Sequence, residues 1–445
     1  MKRALCLLSA LLLLLSLLAC GGRVASEAAS GQAAQTAAPE TADPSAPAYT
    51  PQPAVIPDPT PVPNMQSGAA QTLLFSEKGV SATLLSYAFT ENQALELTVE
   101  ARNETDFPAI LFFSLEAVNG WSVAAVANGA GDDAAMEALR PELAAGAAET
   151  LTLTFRLTDP SVARMGIAHV RTFTVNVWAS NRDSTDYLGD ATTVTEVAEA
   201  GDYVQNFEVA NTPLLQNDFL YAGVIEADAA AMRCTLLLIY PEREGSTLWL
   251  QPVVNGYAAA DAIRKLGLTG STAAILELDL SAQAAALGRS GLSSLSLGLW
   301  MDNSAMEVQV LPVPLTGVSA SNPVAEGPTV FQNDAVVIRF DGVIREENGA
   351  RLALELENLG ATFYMSGVED YVVTLDGVRC GVEGYALLFP GTRTKLSMPV
   401  LSGTEPLVLT EEPRELVFSM YFAKLKPGAW YFESPFFTKD ITITI

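Results

Sequence analysis

The sequence predicts an all-β protein, three tandem β-sandwich domains behind a signal peptide and a disordered linker. Three observations predict it. Short apolar runs alternate with polar residues at period two over most of the chain. Asn-Gly, Asp-Gly and Pro-Gly pairs, which accept the dihedrals of tight turns, separate those runs. The order of strand and turn signals then recurs three times. At 445 residues the chain is long enough for several separate cores.

Lys2 and Arg3 open the chain, and an apolar run from Ala4 to Leu18 closes on Leu17-Leu18-Ala19-Cys20 and then Gly21-Gly22. About 15 apolar residues fall short of the roughly 20 that a membrane-crossing helix needs. The segment resembles the lipobox of bacterial lipoprotein precursors, where a small residue precedes the cleavage point and a cysteine follows it. That resemblance implies a signal peptide over 1–19, a diacylglycerol on the Cys20 thiol, and an extracytoplasmic protein anchored to the cell membrane by that lipid. Two acyl chains at about 0.8 kcal/mol per buried CH₂ hold where one would be marginal.

Residues 20–68 carry nine prolines between Pro39 and Pro63 among Ala, Ser, Thr and Gln, with no apolar periodicity. Such a segment does not fold, and its prolines favour extended polyproline II at about 3.1 Å per residue. Three domains are expected behind it, over 69–200, 201–318 and 319–445. In the first, Leu95, Leu97 and Val99 alternate with Glu96, Thr98 and Glu100. In the third, Leu352, Leu354 and Leu356 alternate with Ala353, Glu355 and Glu357. Each pattern reads as one buried face and one wet face. Asp132 to Leu143 and Ala260 to Leu266 are the two stretches with the pattern of short helices.

The repeat is clearest at the turns. Asn119-Gly120-Trp121, Asn255-Gly256-Tyr257 and Asp376-Gly377-Val378 each end an apolar run, and each is followed by a second glycine, Gly146, Gly270 or Gly391. The glycine spacing matches in the last two units and is 12 residues longer in the first, an insertion that coincides with the helical pattern after Asp132. The strand Ile275 to Leu280 looks slipped by one. Gln216-Asn217-Asp218 and Gln332-Asn333-Asp334 mark matching entries to units two and three. Seven or so short strands per unit fit an immunoglobulin-like sandwich. The order also resembles an uncharacterised β-repeat of Gram-positive surface lipoproteins, carried best by Leu97 to Asn103 with Val118 to Trp121 and by Val254 to Tyr257. Asp376 and Val378 depart from it. The resemblance implies an architecture and supplies no catalytic residues.

Charge excludes some functions. Lys and Arg total 25 against 51 Asp and Glu, a formal −26 that becomes −28 once Lys2 and Arg3 leave with the signal peptide. No cation cluster exists to hold phosphate, so nucleic acid is excluded as a partner. One histidine and four cysteines leave little for zinc or for His-based catalysis. With Cys6 removed and Cys20 acylated, Cys234 and Cys380 remain, in different units and read as free buried thiols. His169 stands just before a strand, at a position matched to Ser294, and reads as an exposed side chain. No catalytic constellation and no cofactor motif is present.

Two kinds of binding residue stand out. Asn181, Asp183 and Asp186 in one loop, with Asp132 and Asp133 in another, are oxygen donors of the type Ca²⁺ takes, though the turn glycine and closing Glu of a calcium loop are missing. Trp121 and Tyr257 follow the turns, where a ring either stacks on a sugar or partner at a hairpin tip or fills a core. Trp430, Tyr431, Phe432, Phe436 and Phe437 crowd the last unit, and Trp178 and Trp300 read as core. The expected function is a non-catalytic, lipid-anchored surface protein that recognises or scaffolds through its sandwich loops. The alternative is a carbohydrate-binding or carbohydrate-processing envelope lipoprotein. Neutral glycans or basic protein surfaces are the partners its charge favours.

Overall fold

Alternating runs become paired strands wherever a turn residue supplies the reversal. The computed structural model describes residues 67–445 except 91–92, 129–131, 168, 198–203, 260–261, 303, 319–326, 369–372, 410, 425–434 and 439. The expected signal peptide, Cys20 and nearly all of the linker lie outside the described residues, as do Trp430, Tyr431 and Phe432. The chain is all-β with several sheets, and its few helices are no longer than six residues among those described. Everything described falls in one compact unit, Val55–Ile445.

In the first segment, Ser67–Glu77, Val80–Phe89, Ala94–Asn103 and Ala148–Arg156 form a four-stranded antiparallel sheet in that order. Ala109–Val118, Thr172–Asn181 and Tyr187–Glu196 form the sheet whose side chains share a core with it. Leu97 and Phe155 from one sheet and Leu111, Phe113 and Val175 from the other are buried there. The second segment repeats the arrangement: Thr212–Gln216, Tyr221–Asp228, Arg233–Ile239 and Ala273–Asp279 share a core with Thr247–Val254, Leu295–Met301 and Gln309–Pro312. In the third, Thr329–Gln332, Val336–Glu346, Gly349–Asn358 and Arg393–Ser402 pair in that order. Their core is shared with Tyr364–Val368, Met420–Lys424 and Glu415–Phe418.

The three turns adopt one conformation. Asn119 and Gly120 have φ of 51° and 82°, Asn255 and Gly256 53° and 85°, Asp376 and Gly377 49° and 76°. Two consecutive left-handed residues make the type I′ reversal that matches strand twist. Each turn side chain then reaches the opening of a later strand. Asn119 Oδ1 accepts the N–H of Arg171 and Thr172 at 2.6 and 3.1 Å, and Asn255 Oδ1 accepts those of Ser293 and Ser294 at 2.6 and 3.3 Å. Asp376 Oδ1 accepts those of Arg414 and Glu415, both at 2.8 Å. Replacing Asn255 by Ala removes the acceptor from two part-buried N–H groups and is expected to cost about 1–3 kcal/mol, read as a lower midpoint in urea unfolding. A midpoint equal to wild type would show the turn side chain to be dispensable.

These bonds correct one alignment and account for another. Thr172 corresponds to Ser294, so His169 corresponds to Gly291, not to Ser294; Asn119 Nδ2 donates to the His169 carbonyl at 2.5 Å and Asn255 Nδ2 to that of Gly291 at 3.3 Å. The one-residue slip expected after Gly270 is present. Asn103, Tyr240 and Asn358 donate their N–H to the carbonyls of Ala147, Thr272 and Thr392. Gly146 and Gly391 directly precede their acceptors, whereas Ser271 intervenes after Gly270.

Asp132 caps the helix Asp133–Ala138 by accepting the Ala135 N–H, so the helix expected over Asp132 to Leu143 forms in its first half, while Glu142–Leu143 pairs as a strand with Ala109 and Ile110. The helix expected over 260–266 is not formed among its described residues, 262–266. Arg264–Gly267 is instead a strand beside Thr247–Leu250, because that pairing buries Leu266 opposite Leu248.

Candidate functional site: two seams at the hairpin tips

The residues after the turns link one segment to the next. At the first seam, Thr272 and Ala273 donate their N–H groups to the Gly120 carbonyl at 2.7 and 3.1 Å, and Trp121 bridges in parallel to Ala273. One hydrogen-bonded sheet thus runs from Thr212–Gln216 of the second segment into Ala109–Val118 of the first. At the second seam, Arg393 donates its N–H to the Gly256 carbonyl at 3.0 Å and Tyr257 bridges to Arg393. The two joints use the same atoms of the same turn.

This placement decides between the two readings left open for these rings, in favour of burial over a free tip. Trp121 is 0% exposed and lies 5.0 Å from the Phe207 ring, in a core that extends across the seam to Leu237, Ala273 and Ile275. Tyr257 is 3% exposed. A ring that follows a turn faces a neighbouring segment where one is docked, and here one is docked at both places. At the third tip, Val378 is 64% exposed and bridges to no other segment among the described residues.

The second seam holds a polar network that the sequence did not disclose. The Tyr257 hydroxyl donates to Glu355 Oε2 at 2.7 Å, and Arg339 donates to Glu355 Oε1 at 3.0 Å. Arg339 also pairs with Glu357 at 2.7 Å, and Arg393 pairs with Glu357 at 3.4 Å. Two cations therefore face two carboxylates. Glu355 is wholly buried, which corrects its assignment to a wet face: the outer side of Gly349–Asn358 is covered by the second segment. The signal available in the sequence was Arg339, which is directly opposite Glu355 in the strand pairing.

Burial pushes the Tyr257 phenol up to about 12, with the Glu355 hydrogen bond adding to it. Burial also pushes the Glu357 carboxyl up, but the Arg339 hydrogen bond and the charges of Arg393 and Arg339 outweigh it, leaving Glu357 below its ordinary value of 4.5. A carboxyl depressed by folding stabilises the fold above its unfolded pKa, and that contribution is lost as pH falls through the lower folded value. The urea midpoint should therefore fall on acidification below about pH 4.5, and fall less in Glu357→Gln. Equal acid sensitivity in both proteins would place the effect elsewhere.

Beside this network, Trp249 and Trp300 stack at 5.3 Å, and Trp300 meets Phe363 and Phe389 of the third segment. Trp300 thus fills the seam and not a sandwich interior. Trp178 also departs from the core expected for it: it lies half-buried on the outer side of its sheet, stacked on Phe112 at 3.5 Å. A cleft of about 340 Å³ lies at the first seam, lined by Asn119, Gly120, Arg171, Gln205, Phe207 and Glu242 among others.

The remaining candidates are placed as follows. Asn181 Oδ1 accepts the N–H of Asp183 and Ser184, Asp183 pairs with Arg182, and Asp186 accepts from the Ser184 hydroxyl. Asp132 is engaged by Ala135 and Arg156. These oxygens serve their own turn and cap, and no group of three or more His, Cys, Asp or Glu suited to a metal occurs among the described residues. His169 is exposed and takes part in the turn network through its carbonyl. Phe436 stacks on Phe422 in the third core, while Phe437 is exposed. Cys234 and Cys380 are free and buried in separate cores. Burial pushes the Cys234 thiol up to about 12, so it should resist a thiol reagent in the folded protein and react on unfolding. Rapid labelling of Cys234 in the native state would contradict that burial.

Fold and seams together define an all-β protein of several sheets. No helix among the described residues is long and apolar enough to cross a membrane. No family model and no curated protein matches the chain. Among solved structures, it aligns with an Escherichia coli alpha-2-macroglobulin activated by porcine elastase at 8% identity and a TM-score of 0.15, over 82% of this chain and 33% of that one. It aligns with a Salmonella alpha-2-macroglobulin reacted with methylamine at 10% identity and a TM-score of 0.15, over 82% and 24%. The chain spans a third or less of either protein, and a likeness of that size carries no argument.

Proposed function

We propose that the protein is a non-catalytic, lipid-anchored extracytoplasmic surface protein, in which three tandem immunoglobulin-like sandwiches form a jointed spacer that also carries recognition loops. Three main apolar cores and the recurring sheet order support the count of three. In each segment the chain crosses from one sheet to the other after its first strands, as an immunoglobulin-like arrangement requires. The observation that carries the reading is the repeated joint: the same Gly carbonyl receives the next strand opening at both seams. The anchor at Cys20 rests on the lipobox residues, and the linker sets the folded part off the membrane. Metabolic labelling with palmitate tests it: wild type should carry label and stay with the membrane fraction, and Cys20→Ala should do neither. Turnover of a cell-wall glycan by the purified protein would overturn the non-catalytic part.

A second reading is favoured by the cleft at the first seam. Its volume is at the lower end of ligand sites. The half-buried Phe207 ring offers an apolar face to a neutral glycan, and the Glu242 carboxylate, which also lines the cleft, is an acceptor for sugar hydroxyls. Glycan-array binding that weakens in Phe207→Ala would support this; an array without binders would remove it.

A further inference from the structure

The two seams repeat one turn but are closed by different means. At the first, the cores merge: Leu237, Ala273 and Ile275 of the second segment belong to the same apolar cluster as Trp121 and Phe173 of the first. The Gly120 carbonyl there takes two N–H groups, where that of Gly256 takes one among the described residues. The second seam has an apolar cluster of its own. Val253, Ala258 and Trp300 meet Phe363, Leu387 and Phe389 apart from the main cores of the second and third segments. The rest of that seam is polar, with Tyr257, Glu355, Arg339, Glu357 and Arg393 joined in one network. Charges that water solvates on opening lose little by it, so such a network holds less firmly than apolar area.

Gln251 adds a cost to the closed state. Its side chain is 0% exposed, and neither its carboxamide oxygen nor its nitrogen has a hydrogen-bond partner among the described residues. By strand alternation it shares the outer face of Thr247–Val254 with Trp249 and Val253, which both belong to the seam. Opposite it in the strand pairing is Gly298, over which the Phe389 ring of the third segment lies so closely that a Cβ there would collide. The third segment therefore covers Gln251, and moving it away returns both amide atoms to water. A buried amide without a partner favours the wet state by about tenfold or more.

We propose that the second seam is a hinge that opens while all three segments stay folded, so that the third segment swings as a body against the first two, which move together. Opening bares Trp300, Phe363 and Phe389 and hydrates Gln251, while the first seam stays shut on its shared core.

Native-state amide exchange of the full chain in low urea tests this. After allowance for intrinsic rates, the Arg393 N–H should be protected at least about tenfold less than those of Thr272 and Ala273. Leu297 and Leu354, in the cores on either side, should keep the high protection of folded strands. Gln251→Leu keeps a side chain of similar size and removes the stranded amide, so Arg393 should gain about tenfold in protection with Thr272 and Ala273 unchanged. Equal protection of Arg393 and Leu354 would mean that the seam opens only when the segments unfold. Unaltered Arg393 exchange in Gln251→Leu would mean that the amide costs the closed seam nothing. Either result overturns the proposal.

Discussion

Trp121→Ala is expected to lower the unfolding free energy of the first seam by about 3–5 kcal/mol, the usual cost of removing a large aromatic ring from a core. The ring is wholly buried, meets Phe207, and sits in a core that takes in Leu237, Ala273 and Ile275 from across the seam. A cavity there acts on both segments at once, since the ring's own backbone forms the bridge to Ala273. Urea unfolding followed by far-UV circular dichroism should show the midpoint lowered for both of the first two segments, with the third little changed. If Trp121→Ala instead kept wild-type stability and lost only binding to some partner, the ring would be a recognition residue and its burial irrelevant.

The second large effect is expected at Glu355. Removing one partner from a buried ionic network leaves opposed charge uncompensated, at a cost of about 3–5 kcal/mol for a fully stranded partner. Arg339 keeps Glu357 at 2.7 Å, so Glu355→Ala should fall at the lower end, about 3 kcal/mol. Tyr257→Phe removes a single hydrogen bond to a charged group and should cost about 1.5–3 kcal/mol. Trp249 and Trp300 lie in the same seam, so tryptophan fluorescence reports its opening directly. A Glu355→Ala protein whose fluorescence transition coincides with that of wild type would show that the network adds nothing to the joint.

What was legible in the sequence was local chemistry. Asn-Gly and Asp-Gly name their own turn, because few other residues accept two consecutive positive φ values, and period two names a strand whatever it packs against. The inward register of Cys234 with Leu236 and Leu238 follows from the same period. Burial on the outer faces was not legible. Glu355 and Tyr257 occupy positions that are wet on an isolated sandwich, and they are covered only because another segment lies against them. The same holds for Trp300, which belongs to a seam. The strand over Arg264–Gly267 was read as helix because its pairing with Thr247–Leu250 is a contact no local pattern encodes. The His169 alignment failed for a related reason: only the bonds from Asn119 and Asn255 fix which residues correspond.

Amide hydrogen exchange at Thr272, Ala273 and Arg393 tests the joints most directly, because these are the N–H groups given to the Gly120 and Gly256 carbonyls. They should exchange slowly in the native protein, with Thr272 and Ala273 accelerated in Trp121→Ala and Arg393 accelerated in Glu355→Ala. Exchange at all three as fast as at an exposed turn in the unaltered protein would mean that the tips do not hold the strands that follow, and that the segments are not joined in this way.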